Sequence, residues 1–238
     1  MDRIAGKESG YRATKRGGTF IMAMLCSACI VVFASEASAQ CTARDVAQNR
    51  STFKTPSHNA LPILVKSAFS VPVWKTITVG TFANSFALLS ALDAAGCSVG
   101  GLAEEILARP SFTVSTTRTS VELFAVSAAE LGFQTNTAPL ADIYARAQQL
   151  GFGLAAAEVA PQLRLQYFDQ PMGELLIAME PIKTWKGAPA ILSVVNGGAG
   201  LVLIGRDGSG AAEIPVSSRF LFVRSNEAAL EKAVYGRQ

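Results

Sequence analysis

Serine, lysine, histidine and cysteine are the residues of this chain that could do covalent chemistry, and their spacing decides whether they can. Ser51-Thr52-Phe53-Lys54 has the S-x-x-K spacing of acyl-transfer sites, where a lysine one helical turn away takes the proton of the serine hydroxyl. That geometry needs a helix start, and Thr55-Pro56 follows at once, which a helix does not easily run through. The companion K-T-G is missing, because Lys75-Thr76 leads into Ile77 and Lys183-Thr184 into Trp185. Ser57-His58-Asn59 has the form of the accompanying S-x-N element but stands too close to Lys54 to be a separate cleft wall. Gly96-Cys97-Ser98-Val99-Gly100 fits G-x-S-x-G, whose serine must stand between a strand and a helix. A helical pattern precedes it here, and the sole histidine, His58, lies upstream, the wrong order for an α/β-hydrolase triad. One histidine and two distant cysteines build neither a multi-histidine metal site nor a structural zinc site. Gly197-Gly198 and Gly208-Ser209-Gly210 read as turns rather than phosphate loops, and Glu104-Glu105 as a solvated helix face. The reading is therefore no catalytic residue, no metal and no cofactor.

One polar segment stands out. Gln162, Arg164 and Gln166 alternate with Leu163, Leu165 and Tyr167, and on an extended strand three hydrogen-bonding side chains would share one face. Arg164 would then receive an anion or carboxylate, with Tyr167 and Asp169 beside it at the entry to the Pro171 turn. Arg164, Gln166, Tyr167 and Asp169 are the candidate binding residues. The alternative is an ordinary amphipathic strand with a solvated face.

The elements around this segment follow from periodicity. Lys75 to Val79 alternates as a half-buried strand. Asn84 caps a helix whose Phe86, Leu89 and Leu92 share a face and which stops at Gly96. A shorter helix runs from Leu102 to Arg109 before Pro110, and Val121 to Ser127 is a strand. Thr137 can cap the clearest helix, Pro139 to Leu150, with Leu140, Ile143, Tyr144, Ala147 and Leu150 as its core stripe. Glu174–Glu180, Pro189–Val195, Leu201–Ile204 and Arg219–Val223 read as strands joined by Asn196-Gly197-Gly198 and Asp207-Gly208 turns, an antiparallel meander. A short helix starting at Ser225 or Glu227 closes the chain. The expected fold class is α+β, short helices packed on an antiparallel sheet with a C-terminal β-meander.

The first 39 residues read as an export signal. Arg12, Lys15 and Arg16 lead an uncharged apolar run from Thr19 to Ala34, and Ala37-Ser38-Ala39 places cleavage between Ala39 and Gln40. The run is short for a spanning anchor, so no stable membrane span is expected after cleavage. Residues 40–73, broken by Pro56, Pro62 and Pro72, read as an N-terminal arm, and 74–238 as a single domain. The leader holds five of the 21 Lys+Arg and three of the 18 Asp+Glu, leaving 16 against 15. That near-neutral balance gives no reason to expect nucleic acid as a partner. Cys26 and Cys29 leave with the leader, and the remaining pair, Cys41 and Cys97, is expected to form a disulfide in a periplasmic or secreted protein.

Several blocks also carry a resemblance. Trp74-Lys-Thr-Ile-Thr-Val-Gly-Thr81, Asp142-Ile-Tyr-Ala-Arg146, Glu158-Val159, Pro161-Gln-Leu-Arg-Leu-Gln-Tyr167, Asp169-Gln-Pro171 and Ala178-Met-Glu-Pro181 resemble the signature blocks of a bacterial family of hypothetical proteins. The resemblance runs from about Trp74 to Arg224 and implies no activity. This chain departs from the pattern at Ala155-Ala156, where the family has Cys-Pro, and at Ala160, where it has Gly. The expected function is an exported, non-enzymatic binding or interaction domain for a protein or small-molecule ligand. A periplasmic serine hydrolase using Ser51 and Lys54, or a secreted effector, are the alternatives.

Overall fold

The computed structural model describes Cys41 and residues 63–225. The leader with its Ala39–Gln40 cleavage point, Ser51, Lys54, His58 and the C-terminal helix from Glu227 lie outside the described residues. The elements in chain order are β1 (Lys75–Val79), α1 (Ser85–Ala94), β2 (Ser98–Val99), α2 (Gly101–Leu107), β3 (Thr119–Ser127), β4 (Thr137–Pro139), α3 (Leu140–Gln149), β5 (Phe152–Gly153) and α4 (Val159–Gln166). They continue with β6 (Gly173–Ile177), β7 (Ile182–Lys183), β8 (Pro189–Asn196), β9 (Leu201–Asp207), β10 (Glu213–Pro215) and β11 (Arg219–Arg224). The fold is α+β, with a large, mostly antiparallel mixed sheet in the order β1-β3-β11-β6-β8-β9-β2 and a small β10-β4 sheet beside it.

Local signals behave as the residue types require. Asn84 Oδ1 accepts from Ala87 N–H at 2.9 Å and starts α1, and Gly96 takes the left-handed backbone (φ 70°) that ends the turn after it. The buried face of α1 is Leu88 and Leu92, however, and Phe86 is 77% exposed. In α3 the side chains of Leu140, Ile143, Tyr144 and Ala147 are buried as the stripe predicts. Pro139 occupies the N-cap position, and Thr137 belongs to β4 instead of capping.

The C-terminal meander is only partly present. β6, β8 and β9 are antiparallel neighbours, with Asn196 Oδ1 accepting from Gly198 N–H at 2.9 Å in the β8–β9 turn. After Asp207 the chain leaves the sheet: β10 pairs with β4, and β11 returns between β3 and β6, parallel to β6. The physical reason lies in β11 itself. Phe220, Leu221 and Phe222 are all fully buried, so this strand needs cover on both faces and neighbours on both edges.

The register assigns the two faces of the sheet. Phe220 and Phe222 meet the edge of the Tyr144 ring from α3 at 6.1 and 6.4 Å. On the opposite face Leu102 of α2 lies over Gly205, where an added Cβ would come within 2.5 Å of its side chain. α4 contacts β1 near one sheet edge and β8 and β9 near the other, so the sheet curls around it as a half-barrel. Cys41 and Cys97 form a disulfide with their Cα atoms 4.7 Å apart, consistent with an oxidising compartment. Among the described residues no helix is long and apolar enough to cross a membrane.

Candidate functional site

The candidate segment is a helix, not a strand. Gln162, Arg164 and Gln166 lie on α4, with Pro161 in its first turn, where the missing N–H costs no helical bond. Alternation over five residues suits either period; what decides here is a polar stripe at i, i+4 and i+8 turned toward β1 and the loops beside it. Glu158 accepts from Gly80 N–H (3.4 Å) and from Ser115 N–H (3.1 Å) and hydroxyl. Gln162 accepts from the Thr81 hydroxyl at 3.0 Å, and Gln166 bonds both backbone groups of Thr78 on β1. The three side chains tie α4 to β1 and to the loop after it.

Arg164 points elsewhere and is fully buried. Its guanidinium donates to Gln170 Oε1 at 2.5 Å and to the Tyr167 carbonyl, while its Nε has no hydrogen-bond partner. Burial lowers its pKa to about 10, against a smaller opposing pull from Tyr167. Gln170 in turn donates to the carbonyls of Gly173 and Val194, both at 3.1 Å, and Asn196 donates to the Gln170 carbonyl at 2.6 Å. Arg164 therefore holds the 167–173 loop against β8 from beneath and does not meet solvent as an open polar row would require. Gln166 is exposed but engaged on β1, Asp169 is exposed, and Tyr167 is half-buried.

Tyr167 opens onto a groove. Its ring meets Trp74 edge-on at 5.2 Å, and Lys75 Nζ stands 4.7 Å above it. One chamber of about 440 Å³ is lined by Trp74, Tyr167, Pro171, Met172, Leu175 and Arg219. A second of about 580 Å³ shares Trp74 and Arg219 and is walled by Ile63, Leu64, Val71 and Val73. No protein-family model, curated protein or solved structure matches this chain. Function must therefore be argued from the groove.

The remaining sequence candidates stay apart from it. Ser98 sits in the short edge strand β2, beside the disulfide cysteine Cys97, and Gly100 rather than the serine leads into α2. Glu104 is exposed, whereas Glu105 accepts from the Trp185 N–H, so the adjacent pair does not act together. Among the described residues no group of three His, Cys, Asp or Glu side chains could hold a metal ion. Trp74, Met172 and Arg219 were not among the binding residues the sequence offered. Trp74 after the Val71-Pro72-Val73 run was the available signal, but nothing in the spacing links it to Arg219.

Proposed function

We propose that this chain is an exported binding domain, not an enzyme, and that it binds through the groove between Trp74, Tyr167 and Arg219. The observation that carries this reading is the concentration of apolar surface on one rim. Ile63 is 86% exposed, with Leu64 and Val73 also exposed in the same chamber, and Met172 is 63% exposed in the adjoining one. Contiguous apolar surface of this kind marks interaction sites on folded domains. The apolar leader, the small-residue cleavage pattern and the Cys41–Cys97 bridge support export.

Of the four residues read as a binding row, Tyr167 lines the groove, while Arg164 has a positioning part through Gln170. A photoreactive amino acid at Met172, with Phe86 as an exposed control on α1, tests the site in the living envelope. Adducts at position 172 that are absent at 86 and lost on Tyr167→Ala are expected. Equal labelling at both positions rejects the groove as the binding surface.

A further inference from the structure

The charges facing the groove do not cancel. The Glu174 carboxylate on its wall is taken by Arg206 through two bonds of 2.8 Å and by the Ser193 hydroxyl at 2.7 Å. Glu130 accepts from Ser127 N–H (2.7 Å) and hydroxyl (2.9 Å) and reaches Arg219 only at 4.0 Å. Arg219 is half-exposed at the junction of the two chambers, with one bond, at 3.0 Å, to the Ala125 carbonyl. Lys66 adds a second cation to the lining, and Lys75 stands over the Tyr167 ring. An apolar trough whose two chambers share a half-exposed guanidinium, with its ion-pair partner Glu130 only at 4.0 Å and bonded to Ser127, is complementary to an anionic head on a hydrocarbon chain.

We infer that the groove binds a single-chain anionic amphiphile, its alkyl chain along the Val71–Trp74 wall and its head group on Arg219; this rests on the groove being the binding surface. A peptide fits less well, because it brings a row of N–H and C=O groups that need partners. Two of the wall's own donors are already taken: the Val65 and Trp74 N–H groups donate to the carbonyls of Glu130 and Leu123 at 2.8 Å. The 580 Å³ chamber lies within the range of small-molecule sites.

The test uses the exported protein carrying Trp185→Phe, which leaves Trp74 as its only tryptophan. Fluorescence titration and calorimetry with decanoate, dodecanoate and dodecyltrimethylammonium, all kept as monomers, compare chain length and head charge. Burial of methylene groups predicts about four-fold tighter binding for each one added, so dodecanoate should exceed decanoate by roughly fifteen-fold. The cationic amphiphile should bind about ten-fold more weakly than dodecanoate, and Arg219→Gln should erase most of that preference. Saturable binding without charge preference on the unaltered Arg219 protein overturns the head-group assignment, whatever the variant does. No saturable binding overturns the ligand class. If Met172 adducts persist in that case, the groove remains a binding surface for another ligand; if they are absent too, both readings fall.

Discussion

The side-chain amide of Gln166 stands beside Thr78 where a neighbouring strand would stand. Its Oε1 accepts from the Thr78 N–H at 2.9 Å, and its Nε2 donates to the Thr78 carbonyl at 2.8 Å. β1 is the end strand of the sheet, so these are groups that an unprotected edge would offer to another chain. Gln166 is thus an edge guard as well as a helix-to-sheet tie. Replacing it with alanine should cost about 1 kcal/mol, since the freed groups can still meet water. The larger expected effect is concentration-dependent self-association. Sedimentation and thermal unfolding measured side by side check both, and a monodisperse variant with unchanged melting would remove the guard role.

Arg164 and Gln170 form a buried pair in which the partners are unequal. Gln170 serves Arg164, Gly173 and Val194 together, so Gln170→Leu strips a buried guanidinium and two carbonyls of partners. We expect a loss of about 3 kcal/mol, near the upper end for unsatisfied buried groups. Arg164→Met removes the charge along with its unmet Nε demand and keeps most of the volume, so it should cost only about 1 kcal/mol. Chemical denaturation of the two variants decides the order. A costlier Arg164→Met would mean that the guanidinium contributes more than the loop it holds.

The sequence was most legible where one local pattern had one outcome. Lys75–Val79 and the Asn84 cap needed no long-range information, and the α3 stripe fitted only a 3.6-residue period. At 162–166 the alternation fitted two periods, and the polar side chains expected to face solvent are spent on protein partners, Gln166 on β1, Gln162 on the loop after it and Arg164 on Gln170. Pro161, compatible with a first helical turn, was the clue to the helix. The unbroken apolar run Phe220-Leu221-Phe222-Val223 likewise signals a strand buried on both faces rather than the last member of a meander. Which strands flank it is a non-local fact. The groove depends on it, because inserting β11 beside β3 brings Arg219 to Ala125 and Trp74.

Alkaline stability should report on Tyr144. Burial pushes its phenol well above the ordinary tyrosine value, the Met179 N–H pulls it partly back, and Glu180 raises it further. A group whose folded pKa is raised lends stability that is intact below the unfolded pKa and is lost as pH rises toward the folded one. Stability should therefore fall above about pH 10, where the unfolded chain ionises first. Arg164, lowered to about 10, acts in the opposite sense over the same range, because folding then disfavours its charge. The difference between the natural protein and Tyr144→Phe isolates the phenol. Denaturation midpoints across this range should drop less steeply in the variant; parallel curves would falsify the assignment.

The disulfide should stabilise by fastening Cys41 to the sheet. The Cys41 N–H donates to the Ala95 carbonyl at 3.0 Å, and its own carbonyl accepts from Leu201 N–H at 3.1 Å at the start of β9. The bridge closes a separation of 56 residues. Loop entropy assigns such a closure about 4 kcal/mol. For a domain of this size that corresponds to a fall in melting temperature of roughly 10 °C on reduction. A Cys41→Ser/Cys97→Ser double variant should match either single one, because the bond is lost once. Amide exchange gives the spatial control: after reduction Leu201, which bonds the Cys41 carbonyl, should quicken by more than Ile143 in α3, which follows only the global loss of stability. If reduction speeds both amides equally, the bridge supports the whole domain cooperatively and not the Cys41 attachment alone.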